Sequence, residues 1–180
     1  IEASEYPIIP TVECEPIAVI SVNDFWAAID GVSFAITPNE VRPEISGAVL
    51  RFSGNELVIA GTDSYRLAEK HLKLTQGDAQ FRIIVPSHTA HEIGRILSFG
   101  DVGEEKGARI LIGDNQIALH YSNVQLISRL VDGQYPDYAQ IIPKEFKTTA
   151  LFSTNHMTKE IKAASLFTTT GVNAINFEIK

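Results

Sequence analysis

Among the residues able to do chemistry, His71, Asp63 and Ser64 are of the types that make a hydrolase triad. His88 and His91, three positions apart, are of a type and spacing that suits a metal ion. Neither set is accompanied by the pattern its chemistry needs. No nucleophile elbow, phosphate loop or metal-ligand spacing surrounds the first, and no companion carboxylate motif attends the second. These residues therefore point away from an enzyme, and no catalytic residue, cofactor or bound metal is expected. Cys14 is the one cysteine, which excludes disulfide scaffolding and cysteine-rich zinc sites and favours a reducing compartment.

The remaining chemistry is charge on helical faces. His88, His91, Glu92 and Arg95 fall opposite an apolar stripe of Ala90, Ile93 and Leu97, and Lys159 and Lys162 fall opposite Met157, Ile161 and Ala164. An earlier helix offers Ala27, Asp30 and Gly31 at the corresponding positions. Such faces are most simply solvated surfaces, and they become sites only if the fold turns them toward a partner.

The elements that would position these residues follow from hydrophobic period. Residues 16–22 are β-rich, and Ser21 or Asn23 can cap a helix with Phe25, Ile29, Val32 and Ile36 on one face. Strand patterns follow at 48–52, 57–61 and 65–74, with a turn at Ser53, Gly54 and Asn55. The order then restarts: a strand at 81–85, a helix opened by Pro86 and Ser87, and a meander at 109–112, 117–121 and 124–131 with turns at 113–115 and 122–123. Each half reads β-α-β-β-β over about 65 residues. Residues 66–72 are strong helix formers, but their place in the half-repeat predicts a strand, since tertiary context overrides propensity.

A longer repeat encloses this unit. Tyr6, Pro7, Ile8, Ile9 and Pro10 precede a strand-like run and Ser21-x-Asn23; Tyr135, Pro136, Ile141, Ile142 and Pro143 precede another and Ser153-x-Asn155. Residues 23–37 and 155–169 align without a gap, pairing Phe25 with Met157, Ile29 with Ile161, Val32 with Ala164 and Phe34 with Leu166. A period of about 130 residues is domain-sized. The chain therefore reads as the tail of one domain with its connector (1–14), a complete middle domain (15–143) and the start of a third (144–180, ending in a strand-like run over 174–179), all cut from a longer protein.

Composition bounds the remainder. With 44% apolar and 21% charged residues the chain is an ordinary globular one. No apolar run reaches the roughly 20 residues a spanning helix needs, so no membrane partner is expected and a cytoplasmic protein is the default. A net charge of -7 argues against a conventional basic nucleic-acid binder if charge is judged only as a sum.

Three segments carry a family resemblance. Residues 124–143, reading VQLISRLVDGQYPDYAQIIP, resemble the end of the middle domain of the bacterial DNA sliding clamp, the β subunit of DNA polymerase III. Arg42-Pro43-Glu44-Ile45-Ser46-Gly47 and Gly61-Thr62-Asp63-Ser64-Tyr65-Arg66-Leu67-Ala68 are similar to two further signatures of that family, in the same order and spacing. The resemblance implies an α+β clamp fold, with antiparallel sheets outside and two helices inside each domain. It also implies a non-catalytic processivity factor, in which a head-to-tail homodimer closes a ring around duplex DNA and tethers the replicative polymerase. The alternative is a protein-interaction domain of clamp-like fold that does not encircle DNA.

The resemblance also assigns residues. Ile45, Thr62, Ser64, Tyr65, Arg66, Leu67, Pro136, Gln140 and Ile141 match a pocket that takes short linear peptides from polymerase, clamp loader and repair proteins. Many relatives carry Gly-His or Gly-Arg where this chain has Ser64-Tyr65, and a basic residue where it has Gln140. Arg42, Ser87, His88, His91, Arg95, Lys159 and Lys162 match, or lie near, positions that face DNA through loose, sequence-independent contacts.

Overall fold

The computed structural model describes residues 12, 14–38, 42–99, 107–168 and 174–178. The first repeated segment, Tyr6 to Pro10, and the copy end at Thr169 lie outside them. The chain divides between Asp137 and Tyr138 into two compact units.

In the first unit, β1 (Ala18–Ser21) leads directly into α1 (Val22–Ser33). Of the two candidate caps it is Ser21 that serves, its side chain accepting from the Asp24 N–H at 3.5 Å; Asn23 lies inside the helix. Val22, Phe25, Ala28, Ile29 and Val32 form the buried stripe. Ile36 is buried too, but beyond the helix end. Ala35 N–H donates to Val32 O and Ile36 N–H to Ser33 O, a tightening into 3₁₀ geometry that turns the chain two residues before Pro38.

A 3₁₀ turn (Pro43–Ile45) precedes the antiparallel meander β2 (Gly47–Gly54), β3 (Glu56–Thr62) and β4 (Leu67–Lys73). The helix-forming segment 66–72 is thus largely strand, because it pairs with β3 along its whole length, from Glu56↔Lys73 to Thr62↔Leu67. The second half gives β5 (Ala79–Pro86), α2 (Ser87–Leu97), β6 (Gly107–Ile112), β7 (Gln116–Tyr121) and β8 (Val124–Arg129).

Partner choice between the halves was not visible in periodicity. The sheets run β1-β6-β7-β8 and β4-β3-β2-β5, so each half lends its first strand to the other half's sheet. This exchange joins the two β-α-β-β-β halves into one body. Phe25 and Ile29 of α1, Ile93 and Leu97 of α2, and Leu50, Phe52, Ile59, Ile110 and Leu119 of the sheets share one buried core. Burying each such side chain contributes about 1.5–3 kcal/mol. The helices approach closely at Gly94, where a Cβ would stand 3.0 Å from Ile29 Cγ2.

The opposite face of the second sheet carries a smaller apolar layer. Val49, Ala60 and Ile84 occupy one row by register and are buried, as is Tyr135. The segment after β8 lies along that sheet: Val131 N–H donates to Ile84 O at 2.9 Å and Arg82 Nη1 to Tyr135 O at 3.3 Å.

The second unit contains a 3₁₀ turn (Tyr138–Gln140) and α3 (Thr154–Ser165). Met157 and Ile161 of α3 border an open apolar hollow with Phe152 and Phe177. Residues 174–178, expected as a strand, are not one here, and no partner strand for them exists among the described residues.

Candidate functional site

The segment between β3 and β4 is built from its own side chains. Thr62 Oγ1 donates to the Arg66 carbonyl at 2.7 Å and accepts from the Ser64 N–H at 3.2 Å. Asp63 Oδ1 accepts from the Tyr65 and Arg66 N–H groups at 3.0 and 2.8 Å, and Oδ2 accepts from Arg66 Nε and Nη2 at 3.0 and 2.8 Å. This is an Asx turn closed by a side-chain fork. The Arg66 backbone N–H, followed by its guanidinium, holds the Asp63 carboxyl down to about 2. Within the turn Ser64 has φ 73°, and Tyr65 is 96% exposed.

Four of the expected pocket residues, Thr62, Ser64, Tyr65 and Arg66, thereby form one hydrogen-bonded structure, and Leu67 follows as the register partner of Thr62 where β4 begins. Ile45 is buried at the same end of the sheet, just before Gly47 and the β2–β3 pair Ala48↔Gly61. Tyr135, the residue before Pro136, is buried with its phenol near the Thr62 backbone. Burial pushes its phenol up to about 12, against the opposing pull of the Thr62 backbone. Leu67 is half-buried and Pro136 exposed. Gln140 and Ile141 are exposed residues of the second unit.

The expected DNA-facing residues are more scattered. Arg42 stands in the turn that carries Ile45, whose N–H bonds its carbonyl, and its Nε lies 3.4 Å from Glu44 Oε1. Ser87 is buried, its N–H donating to Ser46 O. His88 is exposed; His91 Nε2 lies 3.2 Å from Ile36 O. Arg95 pairs with Glu92 on the same helix, at 2.8 Å through Nε and 2.7 Å through Nη2. That pairing raises the Arg95 pKa and lowers the Glu92 pKa. Lys159 and Lys162 are exposed on α3.

Three residues that build the site escaped the sequence reading. Asp63 could have been found, since Thr-Asp-Ser is an Asx-turn signal between two strand patterns. Tyr135 falls within the repeat and the 124–143 resemblance but carries no sign there of a part in the pocket. Phe34, whose ring centroid lies 5.5 Å from the Arg66 guanidinium carbon, carries no local signal at all.

The paper triad does not form. His71 lies on β4 between two carboxylates, with Nδ1 2.9 Å from Glu56 and Nε2 2.8 Å from Glu69. Glu69, and then Glu56, raise its pKa above the ordinary value. Asp63 is meanwhile committed to Arg66. Among the described residues no group of three or more His, Cys, Asp or Glu is placed to hold a metal ion, and no helix is long and apolar enough to cross a membrane.

Comparison with known proteins gives a consistent family. The family described as DNA polymerase III beta subunit, central domain, matches residues 19–137. Beta sliding clamps of Staphylococcus aureus are 29% identical over 175 residues, covering 97% of this chain and 45% of their own length. The DNA polymerase sliding clamp from Bacillus subtilis has a similar structure, with TM-score 0.86 and 31% identity over 95% of this chain and 44% of that one. The beta chain from Streptococcus pneumoniae gives TM-score 0.81 and 28% identity, over 92% of this chain and 43% of that one. The chain thus spans a little under half the length of the relatives it matches. With two cross-paired antiparallel sheets and a central-domain match over most of its length, the chain belongs to the bacterial sliding clamp family, the beta subunit of DNA polymerase III.

Proposed function

We propose that this chain is part of a DNA polymerase processivity factor, a ring that encircles duplex DNA and tethers the replicative polymerase. The observation that carries this reading is the first unit itself: α1 and α2 packed side by side against two four-stranded sheets, in a chain of the sliding clamp family. A domain of that form can be joined to others through its sheet edges, leaving the helices on one side. The full-length protein is then a head-to-tail homodimer of three-domain subunits, to which this chain contributes residues 1–14, 15–143 and 144–180 as tail, middle domain and start of the third. It works in the cytoplasm and supplies no chemistry.

In this reading Ile45, Thr62, Ser64, Tyr65, Arg66, Leu67, Pro136, Gln140 and Ile141 receive short peptides from polymerase, clamp loader and repair proteins. Apolar side chains anchor the peptide and polar groups at the rim orient it. Arg42, His88, His91, Arg95, Lys159 and Lys162 meet phosphates, and Ser87, buried with its N–H on Ser46 O, opens the helix that carries His88, His91 and Arg95. Such contacts are sparse by necessity, because a sliding ring must not grip.

The decisive experiment is retention of the full-length protein on circular duplex DNA, which should require the clamp loader. Leu67→Asp in that protein should abolish peptide binding and spare dimerisation; unchanged peptide affinity would refute the pocket. A second reading, an interaction domain that does not encircle DNA, is favoured by one observation. Asp24 and Asp30 are exposed on α1, while Arg95 on α2 is paired with Glu92. Peptide binding without loader-dependent retention would establish that reading instead.

A further inference from the structure

Phe34 lies just past the end of α1 with 54% of its surface exposed, a position where an aromatic ring gains little from burial. Over its ring lies the guanidinium of Arg66, its carbon 5.5 Å from the ring centroid. That guanidinium is held along its edge by Asp63, through Nε at 3.0 Å and Nη2 at 2.8 Å. A guanidinium held at its edge by a carboxylate and set over an aromatic ring has fewer rotamers open to it than a free one. The stack is also a tertiary link. Phe34 belongs to the end of the first helix and Arg66 to the β3–β4 turn, so the ring ties that turn to the body of the domain.

We propose that Phe34 is a positioning residue of the peptide pocket. By stacking on Arg66 it holds residues 62–67 in the binding-ready conformation, with Leu67 at the strand start and Tyr65 presented to solvent. The inference rests on the pocket assigned above and adds to it a residue that acts only through Arg66. The physical need is plain in the turn itself. It contains a serine at φ 73°, a conformation an unrestrained chain leaves readily, so local hydrogen bonds benefit from an outside anchor. A turn already ordered before the peptide arrives has less freedom to lose on binding.

The test measures binding of a fluorescent hexapeptide with two adjacent large apolar side chains to the intact protein and its variants. Phe34→Leu, which keeps an apolar side chain but removes the π face, should weaken binding about two- to fivefold, and Phe34→Tyr should restore it. On an Arg66→Gln background, Phe34→Leu should have no further effect, since the two residues act as one unit. A Phe34→Leu protein that binds as tightly as wild type, while Leu67→Asp abolishes binding, would overturn the inference and leave the pocket standing. An equal loss on both backgrounds would also overturn it, because Phe34 would then act independently of Arg66. Undiminished binding by Leu67→Asp would remove the pocket and this inference with it.

Discussion

Ser64 sits in a left-handed conformation at φ 73°, which costs a residue with a Cβ roughly 1–2 kcal/mol. Glycine would remove that cost but add about 0.4–1 kcal/mol of unfolded-chain entropy. The difference favours Ser64→Gly by about 0.6–1 kcal/mol. Denaturant unfolding should show this gain, while Ser64→Ala, which keeps the Cβ, should show none; a loss of stability in the glycine variant would contradict the account of the turn. His71 gives a pH dependence. Its pKa is raised chiefly by Glu69, so its ion pairs contribute fully below the ordinary value of 6.5 and are lost as pH rises through the raised one. Because the pair is exposed, the effect on stability is about 0.5 kcal/mol or less, and the sharper readout is the imidazole titration by NMR. Glu69→Gln should lower the His71 pKa, and an unchanged titration would contradict the assignment. At this scale the family signature made the turn legible, because Thr62 to Leu67 are contiguous. The supports of the turn were not legible, because Phe34 and Tyr135 reach it from distant parts of the chain.

At the scale of elements, the exchange of first strands is the feature most open to test. Gly47 opens β2 opposite Pro86 of β5, and a Cβ there would stand 2.1 Å from the Val85 carbonyl oxygen. A backbone atom cannot swing aside as a side-chain tip can. Gly47→Ala should therefore cost about 2–3 kcal/mol, read by denaturant unfolding; a change below about 0.5 kcal/mol would mean that the β2–β5 junction yields easily. Most elements were legible from period and punctuation. β4 was legible only through the half-repeat, since Leu67, Ala68, Glu69 and Lys70 favour helix on propensity alone. Pairing of β1 with β6 and of β5 with β2 was not legible. Ala18 meets Ile110 across more than half the domain, and nothing local to either strand records its partner.

At the scale of the whole molecule, the net charge of -7 of this chain suits a hold on duplex DNA that is topological rather than adhesive, as proposed. The described helices carry mixed charge. α1 exposes Asp24 and Asp30, α2 pairs its arginine with Glu92, and α3 exposes Lys159 and Lys162 beside Glu160. Each of these helix faces, taken by itself, would hold phosphates weakly, which is all the proposed ring requires. The most direct measurement loads the full-length protein onto circular duplex DNA with its clamp loader, then cuts the circle once and follows the protein that remains bound. Retention on the closed circle with rapid loss on linearisation is the predicted result; protein that stays equally bound after the cut, or that never depends on the circle, would contradict encirclement.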